Sequence, residues 1–231
     1  MNSRATVGRF AVHWILLTAL LATPVFAQFA GGEFAANMAE NSKKLKQYTY
    51  LQKTEVYLRG ELRTSKRAEV HFDSVSGEKI VVPLNSEDAA EAAPAGPRGR
   101  IRSRIVERKK DEMKDYVDRL VGLMGQYLPP NPDRVKAAMA QAQITPPAEG
   151  QDARVELSHY LKPGDRVTLS VNAATKKLNQ IAIQSDLDGD PVSFLVSFAR
   201  LPDITNYPAT TSIKAEAKAL EIRVSTSDYR K

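Results

Sequence analysis

Beyond residue 150, apolar and polar residues alternate in one short segment after another, which is the pattern of β-strands with one buried face. The segments between these runs are short and polar, and Asp188-Gly189 is a strong hairpin signal. Strands joined by short turns pair antiparallel, so this half of the chain predicts an antiparallel meander. The predicted strands cover 155–161, 167–171, 178–187, 192–198, 209–215 and 220–224.

The part of the chain before residue 150 predicts three more strands, over 48–58, 62–72 and 79–84, behind a first helix over 33–47. An Ala-, Pro- and Gly-rich stretch over 85–100 has no apolar period and predicts a mobile loop. A helical insert over 101–143 follows, in which Pro129-Pro130 separates a long helix from a second helix capped by Asn131. The fold class is therefore α+β and mainly β, a curved antiparallel sheet or incomplete barrel with the helical insert covering one face.

The N-terminal residues 1–27 have the pattern of a secretory signal peptide. Arg4 and Arg9 precede an apolar run that is too short to span a bilayer, and Val25 and Ala27 are small residues at the expected cleavage positions. We expect cleavage after Ala27 and a single domain over 28–231, in the periplasm or secreted. The alternative is an uncleaved membrane anchor.

No motif in the sequence points to catalysis. The chain has no Cys, no Gly-x-Ser-x-Gly elbow and no phosphate-binding Gly-rich loop, so we predict a protein that is not an enzyme and that needs no cofactor. His71 and His159 lack a second ligand at metal-binding spacing, and we predict no metal site. The acidic run around Asp188 has its Gly at the fourth position instead of the sixth, so it predicts a hairpin turn and not a calcium loop.

The apolar positions of several predicted strands must face one interior, because a one-sided sheet has to bury that side. The helix around Leu120, Val121 and Met124 is predicted to cover this interior. Alternation alone does not decide whether the interior is a ligand cavity or a packed core. The candidate ligand-binding residues are Tyr50, Val56, Leu120, Met124, Leu169, Val171, Ile183, Phe194, Phe198 and Ile222.

A basic run opens the helical insert, with Arg98, Arg100, Arg102 and Arg104 as its candidate contacts to an anionic surface. Nucleic acid is not predicted as a partner, because the protein is expected to be exported and the run has no interleaved aromatic residues. The alternative is the solvated start of a helix.

The segment 160–229 resembles the periplasmic lipoprotein-carrier (LolA-like) superfamily, through Leu161-Lys162-Pro163-Gly164-Asp165, Thr175-Lys176-Lys177-Leu178 and Asp228-Tyr229. The pattern Tyr48-Thr49-Tyr50, then Lys53-Thr54-Glu55-Val56 and Gly60-Glu61, is similar to that of uncharacterised exported bacterial proteins. The carriers hold acyl chains in an incomplete barrel, with helices on its concave side. The resemblance implies this fold and a lipid or an acylated protein as partner.

Taken together, the sequence predicts an exported envelope protein that binds an apolar or lipid-like ligand on the concave face of a curved sheet. The alternative is an interaction or sensor module of the envelope with a filled core. The oligomeric state is not predicted.

Overall fold

The computed structural model describes residues 31–88, 97–148, 151–172, 174–175 and 177–231. These form one antiparallel sheet of ten strands, which is not closed into a barrel, together with three helices. The helices are α1 (Gly31–Leu45), α2 (Pro97–Tyr127) and α3 (Pro132–Met139). The strands are β1 (Thr49–Leu58), β2 (Glu61–Phe72), β3 (Lys79–Asp88), β4 (Gln143–Thr145), β5 (Ala153–Ser158), β6 (Arg166–Val171), β7 (Leu178–Leu187), β8 (Asp190–Arg200), β9 (Asn206–Ala215) and β10 (Leu220–Arg230).

The strand order is β3-β2-β1-β10-β9-β8-β7-β6-β5-β4, so every neighbouring pair but one is consecutive in the chain. The exception is β10, which returns to pair antiparallel with β1, with Val56 opposite Ile222. This pairing joins the strands before and after the helices into one continuous sheet.

Local sequence explains the turns of this meander. The β1–β2 turn at Arg59-Gly60 and the β7–β8 turn at Asp188-Gly189 both have positive φ at their two central residues. This is the geometry of the two-residue hairpin that matches the right-handed twist of the flanking strands. The predicted hairpin at Asp188-Gly189 is confirmed.

The predicted α+β, mainly β fold class is confirmed, with differences at the ends of elements. β3 continues to Asp88 instead of ending at Leu84, α2 begins at Pro97, and residues 89–96 of the predicted mobile loop lie outside the described residues. β4 was not expected, because three residues are too few to show an alternating pattern. His159 was placed on a strand but lies in the turn after β5, where its Nδ1 accepts a hydrogen bond from the Gly164 N–H.

The core lies between the helices and the β5–β10 part of the sheet. Burial alternates residue by residue along β5, β6 and β8, as expected for strands with one covered face. We call this covered side the inner face. The β2–β3 hairpin is less covered, and the edge strand β3 keeps four aliphatic side chains partly in solvent: Ile80, Val81, Val82 and Leu84.

Asn41 attaches α1 to the sheet. Its side chain pairs with the main chain of β9. Its Nδ2 donates to the Asn206 carbonyl oxygen at 2.8 Å, and its Oδ1 accepts from the Asn206 N–H at 2.7 Å. The Asn206 side chain in turn donates to the Leu178 carbonyl oxygen on β7.

We expect Asn41→Ala to lower the free energy of unfolding by about 2 kcal/mol, since it leaves a largely buried N–H and carbonyl without partners. Urea unfolding followed by circular dichroism measures this change. The control is Glu40→Ala at the neighbouring exposed position, which should have little effect. Equal effects of the two substitutions would show that the hydrogen bonds between Asn41 and Asn206 do not stabilise the fold.

Candidate functional site

Six of the ten candidate ligand-binding residues are no more than 2% exposed and belong to one continuous core. They are Leu120, Leu169, Val171, Ile183, Phe194 and Ile222. Val56, Met124 and Phe198 are partly buried and pack against this core, while Tyr50 is buried beside it. Residues from five strands and one helix are thus brought together on the two sides of a single helix–sheet interface.

α2 covers the core with one stripe of side chains. Tyr116, Leu120, Leu123 and Tyr127 are spaced four, three and four residues apart, which places them on one side of a helix, and all four are buried. Met113, Val117 and Met124 flank the stripe and pack against the core. Val121, which we expected on the inner side, is 43% exposed and faces away from the sheet.

A polar contact fixes the C-terminal end of α2. The Tyr127 hydroxyl donates to Asp165 Oδ2 at 2.8 Å and lies 2.9 Å from the Ser185 hydroxyl. Burial, with the Asp165 carboxylate beside it, raises the pKa of Tyr127 to about 12, so the phenol stays protonated at neutral pH. It therefore acts as a donor that holds the helix on the sheet.

Asp165 links this contact to the β5–β6 loop. Its Oδ2 also accepts from the main-chain N–H groups of Leu161 and Lys162, and the residue is only 3% exposed. The Tyr160 ring lies 6.2 Å from the Tyr127 ring, and its hydroxyl accepts from the Asn131 N–H at the start of α3. The loop therefore positions both helices. Sequence alternation could not reveal the role of Tyr127 and Asp165, since both partners are polar and distant in the chain.

Four tyrosines cluster where β1 and β10 pair. Tyr229 stacks on Tyr50 at a centroid distance of 4.8 Å, and Tyr207 and Tyr48 lie at 4.4 and 6.2 Å from it. Burial strongly raises the pKa of Tyr229 above its usual value. Tyr50, chosen as a ligand contact, is thus packed within an aromatic cluster at the end of the inner face.

The basic run lies in the first turns of α2, and the side chains of Arg98, Arg100, Arg102 and Arg104 fall outside the described part. From residue 107 to residue 112, all side chains of this helix are exposed. Its first described contacts with the core come from Met113 and Tyr116. The described contacts of α2 with the sheet therefore come from its second half.

Within the described ranges, no three His, Asp or Glu side chains are grouped closely enough to hold a metal ion. Nor does any helix there have the length and apolarity needed to cross a membrane.

Neither the family models nor the curated proteins include a match to this sequence. Two solved structures are similar to it over most of their length. One is a DUF1329 family protein from Desulfovibrio piger, with 9% identity and a TM-score of 0.42 over 87% of this chain and 92% of that one. The other is an outer membrane lipoprotein-sorting protein domain from Vibrio parahaemolyticus, with 9% identity and a TM-score of 0.32 over 86% of this chain and 92% of that one.

Proposed function

We propose that this is an exported, non-catalytic envelope protein that binds an apolar, lipid-like ligand between α2 and the inner face of the sheet. The observation that carries the proposal is that the candidate residues of five strands meet Leu120 and Met124 of one helix at a single apolar interface. An acyl chain that replaced the helix there would meet an aliphatic and aromatic surface along its length.

Ligand entry requires α2 to move, since its side chains fill the interface. Two glycines in its second half support such a movement. A Cβ at Gly122 or Gly125 would meet no atom within 4 Å, so neither glycine is needed for close packing. Each lowers the stability of the helix by about 1 kcal/mol relative to Ala. The section of α2 that covers the core is therefore the section with the weakest helix propensity.

The partners that fit this proposal are a lipid or an acylated protein in the periplasm. The basic first turns of α2, with Arg98 to Arg104, are the candidate contact to the anionic surface from which such a ligand would come. No cofactor enters the proposed function.

A second candidate function is an interaction or sensor module with a filled core. The observation that favours it is the near-complete burial of Leu120, Ile183 and Phe194 against one another and their neighbours. In that case α2 is a permanent part of the core, and the protein acts through its outer surfaces.

The test is to extract the protein, purified from the periplasm, with organic solvent and to analyse the extract by mass spectrometry. In a second experiment, the rate at which the delipidated protein takes up a fluorescent fatty acid is measured. Recovery of a lipid at near-stoichiometric amounts supports the proposed binding of a lipid-like ligand. If no lipid is recovered and no fatty acid is taken up, the ligand-binding proposal is wrong and the interaction module is favoured.

The double substitution Gly122→Ala and Gly125→Ala tests the role of α2. We expect it to raise the free energy of unfolding by about 1–2 kcal/mol, because Ala favours the helix at both sites. Fatty-acid uptake should become slower, since opening the stiffer helix costs more. Gln126→Ala, at an exposed position on the same helix, is the control and should change neither quantity. Stabilisation with an unchanged uptake rate would show that α2 does not gate the site.

A further inference from the structure

Two apolar side chains project from loops at the same end of the sheet. Val75, in the β2–β3 turn, is 94% exposed, and Ile204, in the β8–β9 loop, is 64% exposed. The strand register places both loops at the end where β1 begins, since Tyr50 pairs with Val70 and Thr49 pairs with Arg230. β2 and β10 therefore end there, and so does β8, because β9 lies between β8 and β10. We call this end the α1 end, because the last turn of α1 leads into β1 there.

Each loop is fixed by an aspartate next to its apolar residue. Asp73 Oδ1 accepts from the N–H groups of Val75 and Ser76 at 2.9 and 2.7 Å. In the other loop, Asp203 Oδ1 accepts from the Thr205 N–H at 3.1 Å, while its Oδ2 accepts from the Tyr48 hydroxyl. These hydrogen bonds also hold the pKa of both carboxyls below the usual range. The loops thus hold Val75 and Ile204 outward in defined positions.

Ile204 has an unfavourable main-chain conformation for its residue type. Its φ is +62°, in the left-handed region that Gly and Asn occupy readily and β-branched residues avoid. Because the side chain is mostly in solvent, packing within the chain does not compensate for this strain. Strain at an exposed residue points to a function of that side chain outside the chain's own core.

A lysine lies beside each of the two loops. The Lys46 ammonium lies 6.0 Å from the centre of the Phe72 ring, at the base of the β2–β3 turn. On the other side, the Lys231 ammonium is 3.0 Å from Asp203 Oδ2. Lys43 and Lys44 are exposed on the last turn of α1, and Lys44 pairs with Glu40. Asp73 accepts hydrogen bonds within its own loop, and Asp203 accepts from Thr205, Tyr48 and Lys231. Two further carboxylates at this end, Glu78 and Asp228, are exposed.

We propose that the α1 end docks on an anionic phospholipid bilayer, with Val75 and Ile204 entering the headgroup region and Lys43, Lys44, Lys46 and Lys231 contacting lipid phosphates. Single exposed apolar residues are common on protein surfaces. Here two of them lie on fixed loops at one end, one is strained, and cations flank both, which is the combination that binds a charged membrane interface. The proposal is independent of the ligand site under α2.

The test is co-sedimentation with vesicles that contain phosphatidylglycerol and phosphatidylcholine in equal parts, with phosphatidylcholine vesicles for comparison. All variants are purified from the same cell compartment and share one N-terminus, verified by sequencing. We expect the parent to bind the anionic vesicles and to dissociate as salt is raised. Val75→Ser and Ile204→Asn should each weaken binding about tenfold, the order expected for removing one aliphatic side chain from an apolar medium.

Ile204→Asn distinguishes a role of the Ile204 side chain in membrane binding from a role in stabilising the fold, because Asn tolerates a positive φ. The melting temperature of that variant should equal or exceed that of the parent while vesicle binding falls. The control is Leu195→Ser, which removes a 41% exposed aliphatic side chain from the outer face of β8 and should leave binding unchanged. Three outcomes overturn the proposal: no vesicle binding by the parent, full binding by the Val75 and Ile204 variants, or an equal loss in the Leu195 variant.

Discussion

Replacing Phe194 with alanine is expected to lower the free energy of unfolding by about 3–5 kcal/mol, the usual range for truncating a packed phenylalanine. Phe194 is 1% exposed, lies opposite Ile183 and Ile213 on the two neighbouring strands, and is 6.2 Å from the Tyr127 ring of α2. Its removal leaves a cavity at the centre of the helix–sheet interface. Chemical unfolding monitored by circular dichroism measures the loss.

The neighbouring residue provides the control for this experiment. Leu195 points to the outer face and is 41% exposed, so Leu195→Ala should cost under about 1 kcal/mol. A small loss for Phe194→Ala would mean that the interface is loosely filled, which favours a resident ligand there. A large loss, combined with fatty-acid uptake by the parent, means that ligand entry has to displace well-packed side chains of α2.

Replacing Asp165 with alanine is expected to be the second most damaging change, at about 3 kcal/mol. The substitution removes the acceptor of the Tyr127 hydroxyl and of the main-chain N–H groups of Leu161 and Lys162. Donors left without partners at a buried site cost about 1–3 kcal/mol each, reduced where water reaches them. Thermal unfolding of the purified variant measures the effect.

Asp165→Asn is the matched variant, because its amide oxygen can still accept at the Oδ2 position. We expect it to retain most of the stability that the alanine variant loses. Tyr127→Phe should give an intermediate loss, since it removes one donor and leaves the loop contacts in place. If the alanine and asparagine variants were equally stable, the β5–β6 loop would not depend on these hydrogen bonds.

These two predictions bear on the affinity expected of the proposed ligand site. An acyl chain between α2 and the sheet replaces contacts that the closed protein already makes, including those of Leu120 with the core. The net affinity is then the difference between ligand contacts and the helix contacts that are given up. Substitutions that loosen α2 without removing inner-face side chains should therefore strengthen ligand binding, and those that stiffen it should weaken binding.

Most of the secondary structure followed from the sequence, because it depends on neighbouring residues. The period of two over 178–187 predicted β7 with the bounds that the structure has, and Asp188-Gly189 predicted the turn after it. Asn131 was correctly predicted as the cap of α3, where its side chain accepts from the N–H groups of Asp133 and Arg134. Strand periodicity, turn residues and helix caps are local properties, so they can be recognised in a single sequence.

The buried face was also predictable, since it follows from the alternation within each strand. Leu169, Ile183 and Phe194 were placed on one interior side, and all three are buried in one core. The prediction for Val121 was wrong. It inferred the buried side of α2 from residue types alone, whereas the rotation of the helix about its axis is set by the packing of Tyr116 and Tyr127 on the sheet.

Only the tertiary structure decided how these elements meet. The pairing of β10 with β1 joins residues far apart in the chain, and no local signal specifies it. The contacts of Tyr127 with Asp165, and of Asn41 with Asn206, join polar residues whose partners are equally distant. The sequence determined which residues need burial and where the chain turns, because those depend on single side chains and their neighbours. It left open which distant groups satisfy one another, because that depends on the packing of the whole chain.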